Sequence, residues 1–180
     1  MTHSPNPTQS TPVSAKKAGF THETAKGATD EWYTPRHIFE ALAIERFAMD
    51  VCSPGAEKTH VPADVHLTIV EDGLTTPWAG TVWMNPPYSD IAPWMRKLAD
   101  HGDGIALVFA RPDTKWFQAA LKQATVACFI NGRISFIKGS TGKPAGSPGA
   151  GSVLLAYGKA AADAVLHSEL GICVTPILAS

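Results

Sequence analysis

Val82-Trp83-Met84 leads straight into Asn85-Pro86-Pro87-Tyr88, and no other junction restricts the fold of this chain as much. Proline has no amide hydrogen and is excluded from the interior of a sheet, so a strand arriving here must stop at Met84. An apolar run with no polar alternation is a strand buried on both faces, which points to a largely parallel sheet with helices on either side. Other segments agree. Phe47 to Cys52, Val65 to Val70, Ile105 to Ala110, Val126 to Ile130 and Ser152 to Tyr157 read as further strands. Between them, helical spacing places Ile38, Phe39 and Leu42 on one stripe, with Thr34 as N-cap before Pro35. Trp94, Met95 and Leu98 form a second stripe between Ile91 and His101. Trp116, Phe117, Ala120 and Leu121 form a third, with Asp113 as its cap, and residues 159–170 form an alanine-rich fourth helix. Strands alternating with helices predict an α/β fold around a mostly parallel sheet. Asn131-Gly132 between two apolar runs predicts an antiparallel hairpin towards the C-terminal end.

Residues 1–28 are rich in Thr, Ser, Pro, Lys and Ala, with a single aromatic, and are expected to be a disordered tail. Residues 29–180 are expected to form one compact domain, and Gly139 to Gly151 a mobile loop. Three widely spaced cysteines support neither a disulfide framework nor a zinc site, so no metal is expected. No apolar run is long enough to cross a bilayer, and no secretory signal is visible, so a cytoplasmic protein is expected. The formal net charge of -1 excludes a protein that coats nucleic acid by bulk electrostatics. The charge is unevenly placed, however. Residues 30–110 carry a net -7 and residues 111–143 a net +5. Two surfaces with different partners would have this pattern.

Asn85-Pro86-Pro87-Tyr88 is the motif that carries chemistry. Two prolines fix the backbone and remove two donors, leaving a rigid corner of carbonyls with one amide side chain beside it. Such a corner suits a planar amino group with two hydrogens to donate. The exocyclic amine of adenine is a poor nucleophile because its lone pair is delocalised into the ring. Accepting both its hydrogens, at Asn85 Oδ1 and the Pro86 carbonyl, favours a tetrahedral nitrogen and releases the lone pair. Tyr88 would then stack on a base taken out of the duplex. A tetrapeptide of this kind also serves plain turns after strands, and it suits a protein glutamine as well as adenine; cytosine N4 is a further alternative, although such sites more often have Ser where Asn85 stands.

Several segments together resemble the phage-type Dam family of DNA N6-adenine methyltransferases. They are Asp30-Glu31-Trp32-Tyr33-Thr34-Pro35, Met49-Asp50-Val51-Cys52, Asp72-Gly73-Leu74, Trp83-Met84-Asn85-Pro86-Pro87-Tyr88-Ser89 and Gly132-Arg133-Ile134-Ser135-Phe136. The resemblance covers residues 30–157. It implies a Rossmann-like, S-adenosylmethionine-dependent methyltransferase sheet, with DNA as partner. A monomer or homodimer is expected, and no segment is long enough for a separate target-recognition domain. The resemblance also implies cofactor contacts from Tyr33, Thr34 and Pro35 and from Asp50, Cys52 and Asp72. Asp50 would pair with the cofactor's ammonium group, and Asp72 would accept from its adenine amine. Glu57 is a candidate for the ribose. The loop after Asp50 departs from the wider methyltransferase pattern, since Cys52-Ser53-Pro54-Gly55 is not a Gly-x-Gly turn.

Arg111 follows a strand and precedes a capped helix, while Arg133, Lys138 and Lys143 flank turns in the basic stretch. All four are candidates for phosphate contacts. A relative that kept the fold and bound nucleic acid without catalysis is the alternative from another class. It differs in that it has no need of an intact Asn85 corner.

Overall fold

The computed structural model describes residues 32–145 and 148–177. The predicted tail over 1–28, the Asp30-Glu31 pair and residues 146–147 of the glycine-rich loop lie outside them. In chain order, β1 (Trp32–Tyr33) and α1 (Arg36–Leu42) precede β2 (Phe47–Asp50) and β3 (Ala63–His66). β4 (Val82–Met84) runs into the proline corner, followed by a 3₁₀ turn over Tyr88–Asp90 and by α2 (Ile91–His101). Then come β5 (Gly104–Phe109), α3 (Lys115–Gln123) and β6 (Val126–Ile130). Two short strands, β7 (Ile137–Lys138) and β8 (Lys143–Pro144), lead to β9 (Ser152–Tyr157), α4 (Lys159–His167) and β10 (Gly171–Val174).

The main sheet has seven strands in the order β10-β6-β9-β5-β4-β2-β3. β3, β2, β4 and β5 pair in parallel, as the apolar run before Asn85 requires. β9 inserts antiparallel between β5 and β6, and β10 adds an antiparallel edge beyond β6. The sheet is therefore mixed. Side chains alternate between two apolar layers, the period of two expected of strands. On β5, Ile105 and Leu107 join the layer under α1 and α4, while Ala106 and Val108 join the layer under α2 and α3. α2 is inserted through Ile91, Trp94, Met95 and Leu98, the stripe its spacing predicts.

Four local expectations need correction. Thr34 does not cap α1. Pro35 holds the N-cap position with extended φ and ψ, and the residue before a proline is itself driven out of the helical region. Thr34 turns inward and is buried. The cap of α3 is Thr114, whose hydroxyl accepts from the Phe117 amide, and not Asp113. The second sheet strand is Ala63–His66, earlier than Val65 to Val70, because Phe47, Met49 and Asp50 of β2 fix its register. Finally, Asn131-Gly132 does not make a hairpin. Gly132 does take the left-handed conformation (φ +77), but β6 already has β9 and β10 on its two edges and leaves no ladder for residues 134–137. Ile134 and Phe136 are buried against the α1/α4 layer instead, so their alternation reflects packing. The antiparallel C-terminal additions to the main sheet are β9 and β10, separated by α4. A hairpin does occur nearby, between β7 and β8, in a separate three-stranded sheet ordered β1-β7-β8. Part of the predicted mobile loop therefore has defined structure.

Candidate active site

Parallel strands deliver their C-terminal ends to one sheet edge, where ligands of such folds bind. β2 ends at Asp50, β3 at His66 and β4 at Met84, so Asp50 and Asn85 arrive side by side through the β2–β4 pairing, in which Asp50 lies opposite Trp83. Between them lies a cleft of about 530 Å³. Tyr33, Thr34, Asp50, Cys52, Asp72, Asn85, Pro86, Pro87 and Tyr88 all line it. Among the predicted cofactor contacts, Pro35 does not.

Among the described residues, one hydrogen bond orients the Asn85 side chain. Its Nδ2 donates to the Trp32 carbonyl at 2.9 Å. A carbonyl only accepts, so the amide nitrogen must face it, and Oδ1 occupies the other arm of the amide. Pro86, which follows, is buried. Tyr88 stacks on Phe109 with ring centroids 4.3 Å apart and planes 12° from parallel, and Phe109 meets Phe136 edge-on. One face of Tyr88 is thus occupied, and a base has only the other face available. Its hydroxyl is buried beside the Phe109 backbone without good hydrogen-bond geometry, and burial pushes its pKa well above the ordinary phenol range.

Asp50 is 2% exposed. His66 Nδ1 lies 3.5 Å from its Oδ2, an ion-pair distance without hydrogen-bond geometry, and the same nitrogen sits 3.0 Å from Ser53 Oγ. The neighbouring carboxylate raises the pKa of His66. Burial, reinforced by Asp50, holds the Cys52 thiol well above its usual range, so Cys52 is a wall of the cleft and not a nucleophile. Three polar groups therefore meet in one cleft with buried oxygens that lack a hydrogen bond: Thr34 Oγ1, Tyr88 Oη and Asp50 Oδ2, the last facing only the His66 ion-pair contact. Buried polar atoms are normally satisfied, so these oxygens mark where a polar, partly cationic ligand fits.

The far wall is the loop after β3. Asp72 takes a left-handed conformation (φ 49), and both its carboxylate oxygens accept bonds from its own loop, from the Leu74 amide and the Thr75 hydroxyl. Gly73 touches the end of β2 so closely that a Cβ there would lie 2.1 Å from the Val51 carbonyl oxygen. Lys97, reaching over from α2, donates to the carbonyls of Gly73, Leu74 and Thr76 at 2.8, 2.8 and 2.6 Å. Its ammonium also lies 4.6 Å from the Trp78 ring, and Trp78 Nε1 donates to Gly73 as well. Glu57 folds back against Gly55 and does not line the cleft, so it is not placed at a ribose subsite.

A family model described as DNA N-6-adenine-methyltransferase (Dam) matches residues 21–168. The chain belongs to this family. It is also similar to the DNA N-6-adenine-methyltransferase of Escherichia phage T1, at 27% identity over 153 residues, spanning 73% of this chain and 63% of the phage protein. The chain thus covers less than two thirds of that relative's length. The family match includes every cleft residue named above, together with Arg111, Arg133, Lys138 and Lys143, which lie outside the cleft on exposed turns and strands. Arg111 ends the β5 loop, where its carbonyl accepts from Thr114. Arg133 lies beside Gly151, and Lys138 and Lys143 sit on β7 and β8.

His66, Lys97 and Ser53 were not singled out from sequence. A lone histidine in an Asp-Val-His stretch carries no motif, and only the parallel register puts it opposite Asp50. Among the described residues no group of three or more His, Cys, Asp or Glu is placed to hold a metal, and no helix is long and apolar enough to cross a membrane.

Proposed function

We propose that this Dam-family chain transfers a methyl group from S-adenosylmethionine to the exocyclic N6 amine of an adenine in DNA. We read the mixed sheet, with β9 antiparallel between β5 and β6, as the Rossmann-like methyltransferase sheet. The observation that carries the reading is the anchoring of Asn85. With Nδ2 committed to the Trp32 carbonyl, Oδ1 is left as an acceptor, to act with the carbonyl of the neighbouring Pro86. The two together take both hydrogens of the amine and favour its pyramidal form, which frees the lone pair for attack. Tyr88, braced on Phe109, offers its free face to the base. No strong base is needed for the attack, so alignment is the main task of the site.

The cleft suits the donor. Asp50 is a buried carboxylate faced only in part by His66, and it fits an ammonium group. Thr34 supplies an unpartnered hydroxyl, Tyr33 and Cys52 supply wall, and Asp72 and Gly73 close the opposite side. Pro35 contributes through the turn that aims Thr34 inward. The bound donor supplies an electrophilic methyl group on sulfur. Arg111, Arg133, Lys138 and Lys143 are read as phosphate contacts around the cleft.

Labelled methyl transfer to DNA, followed by nucleoside analysis, tests this. N6-methyladenine is expected from the native chain. Asn85→Ala is expected to reduce the rate by about 100-fold or more while donor binding persists. Label in N4-methylcytosine or in protein, or an Asn85→Ala variant with native activity, would refute the assignment.

A further inference from the structure

The small sheet β1-β7-β8 has an outward row that the cleft chemistry does not use. Trp32 lies opposite Lys138, and Lys138 lies opposite Lys143. Directly opposed residues on antiparallel strands share a face, so the three side chains stand in line on one side. Tyr33, Ile137 and Pro144 occupy the other side. Trp32 is 39% exposed, and both lysines are exposed.

The row is poorly arranged for the protein on its own. Like charges directly opposite one another destabilise a strand pair. Among the described residues, neither ammonium forms an ion pair or hydrogen bond that would offset this. A two-residue strand with a half-exposed tryptophan gains little from burial. A polyanion laid along the row would reverse the sign of the lysine–lysine term.

The position of the row matters as much as its charge. Trp32 lines the cleft, and its carbonyl is the group that holds the Asn85 amide. The row therefore begins at the target pocket and leads away from it across two cations. Single-stranded or locally opened nucleic acid is held in this way elsewhere, with cations tracking the backbone and an aromatic ring stacking on a base.

We propose that the Trp32–Lys138–Lys143 row is the track for the DNA strand that carries the target base. The two lysines meet its phosphates, and Trp32 stacks on a base at the mouth of the cleft. Trp32 is thereby also a positioning residue, because anything that seats β1 seats the carbonyl that orients Asn85. This rests on the reading of the chain as a DNA methyltransferase.

The test uses the full chain and a fluorescently labelled, mixed-sequence DNA duplex, with affinity measured across a salt series. Removing one lysine–phosphate pair lowers the slope of log affinity against log salt by about 0.9 for duplex and about 0.7 for single strands. Replacing both lysines, as Lys138→Gln with Lys143→Gln, is expected to lower the slope by about 1.4–1.8. Trp32→Ala is expected to weaken DNA binding about ten-fold with the slope unchanged, and Trp32→Phe to restore most of it, since stacking is not ionic. As a positioning residue, Trp32 should also affect kcat at saturating DNA, which Trp32→Phe should largely restore because an aromatic ring still seats β1 and so the carbonyl that holds Asn85. A native slope in the double lysine variant, or native affinity and kcat in Trp32→Ala, overturns the proposal. Methyl transfer by the native chain is scored separately. If it methylates DNA while the variants behave as native, the track is wrong and the enzymatic reading stands. If it methylates nothing while slope and affinity shift as expected, the enzymatic reading fails and the DNA surface stands.

Discussion

Lys97→Met should loosen the wall of the cleft that carries Asp72 and Gly73. The native ammonium donates to three carbonyls at 2.6–2.8 Å and sits over the Trp78 ring. A hydrogen bond from a charged group contributes about 1.5–3 kcal/mol, and an exposed cation–π interaction about 0.5–1 kcal/mol. The loop is only part-buried, so water replaces much of what is removed, and the whole clasp is worth about 2–3 kcal/mol rather than the full sum. Methionine keeps the aliphatic stem against Trp78 and removes only the charge. At about 2–4 °C per kcal/mol for a chain of this size, Tm should fall by about 4–12 °C. If about 2 kcal/mol falls on ordering the loop, affinity for S-adenosylmethionine weakens by up to about 30-fold. Thermal melts and titration calorimetry on the same preparation give both numbers. A Tm within about 1 °C of native, with donor affinity unchanged, would show that the three hydrogen bonds hold nothing in place.

Tyr88→Phe removes a buried hydroxyl that has only a poorly aligned contact with the Phe109 backbone, so the variant should keep native stability to within about 1 kcal/mol, while its methyl-transfer rate falls if substrate or donor satisfies that oxygen. A larger fall in melting temperature would mean that the hydroxyl is bonded in solution. His66 has its pKa raised above 6.5 by the Asp50 carboxylate beside it, with Glu57 adding in the same direction. The stability from this pair is fully present below the ordinary histidine value and is lost as pH rises through the raised one. Denaturant titrations from mildly acidic to mildly alkaline pH should therefore show a decline that His66→Gln abolishes. Over the same range the native cleft should bind S-adenosylmethionine more tightly as Asp50 is freed, and a pH-independent affinity would contradict the shared use of that carboxylate.

Much of this was legible in the sequence where one physical rule acted alone. Two prolines after an apolar run end a strand in any context, so the Asn85 corner and the parallel neighbours of β4 were readable. β6, β9 and the buried stripe of α2 were readable for the same reason. Rules in competition were harder to separate. Thr34 and Asp113 are good caps by residue type, but Pro35 and Thr114 hold those positions, because a proline displaces its predecessor and because Thr114 is the last extended residue before the helix. Asn131-Gly132 has hairpin chemistry, yet pairing was decided by which strand edges remained free. β1 and β10 were missed for different reasons. Two residues show no periodicity, and the alternation of half-buried and exposed positions over Gly171–Val174 is too short to stand out. Within the site, residues inside recognisable motifs were found, and those brought in by register or by a long side chain, His66 and Lys97, were not.

The place of β9 in the sheet has a consequence for how the chain must be made. β5 and β6 are both synthesised before the strand that joins them. At about 5–20 residues per second, the stretch from Phe109 to Tyr157 takes about 2–10 s to emerge from a ribosome. During that interval β5 is the open edge of a half sheet, and its exposed ladder is the apolar Ile105–Phe109 run. Long apolar edges of this kind recruit other strands. A chain truncated before Ser152 would thus retain every residue of the Asn85 corner and still be a template for aggregation, because it lacks β9, the late-made central strand that seals the β5 edge.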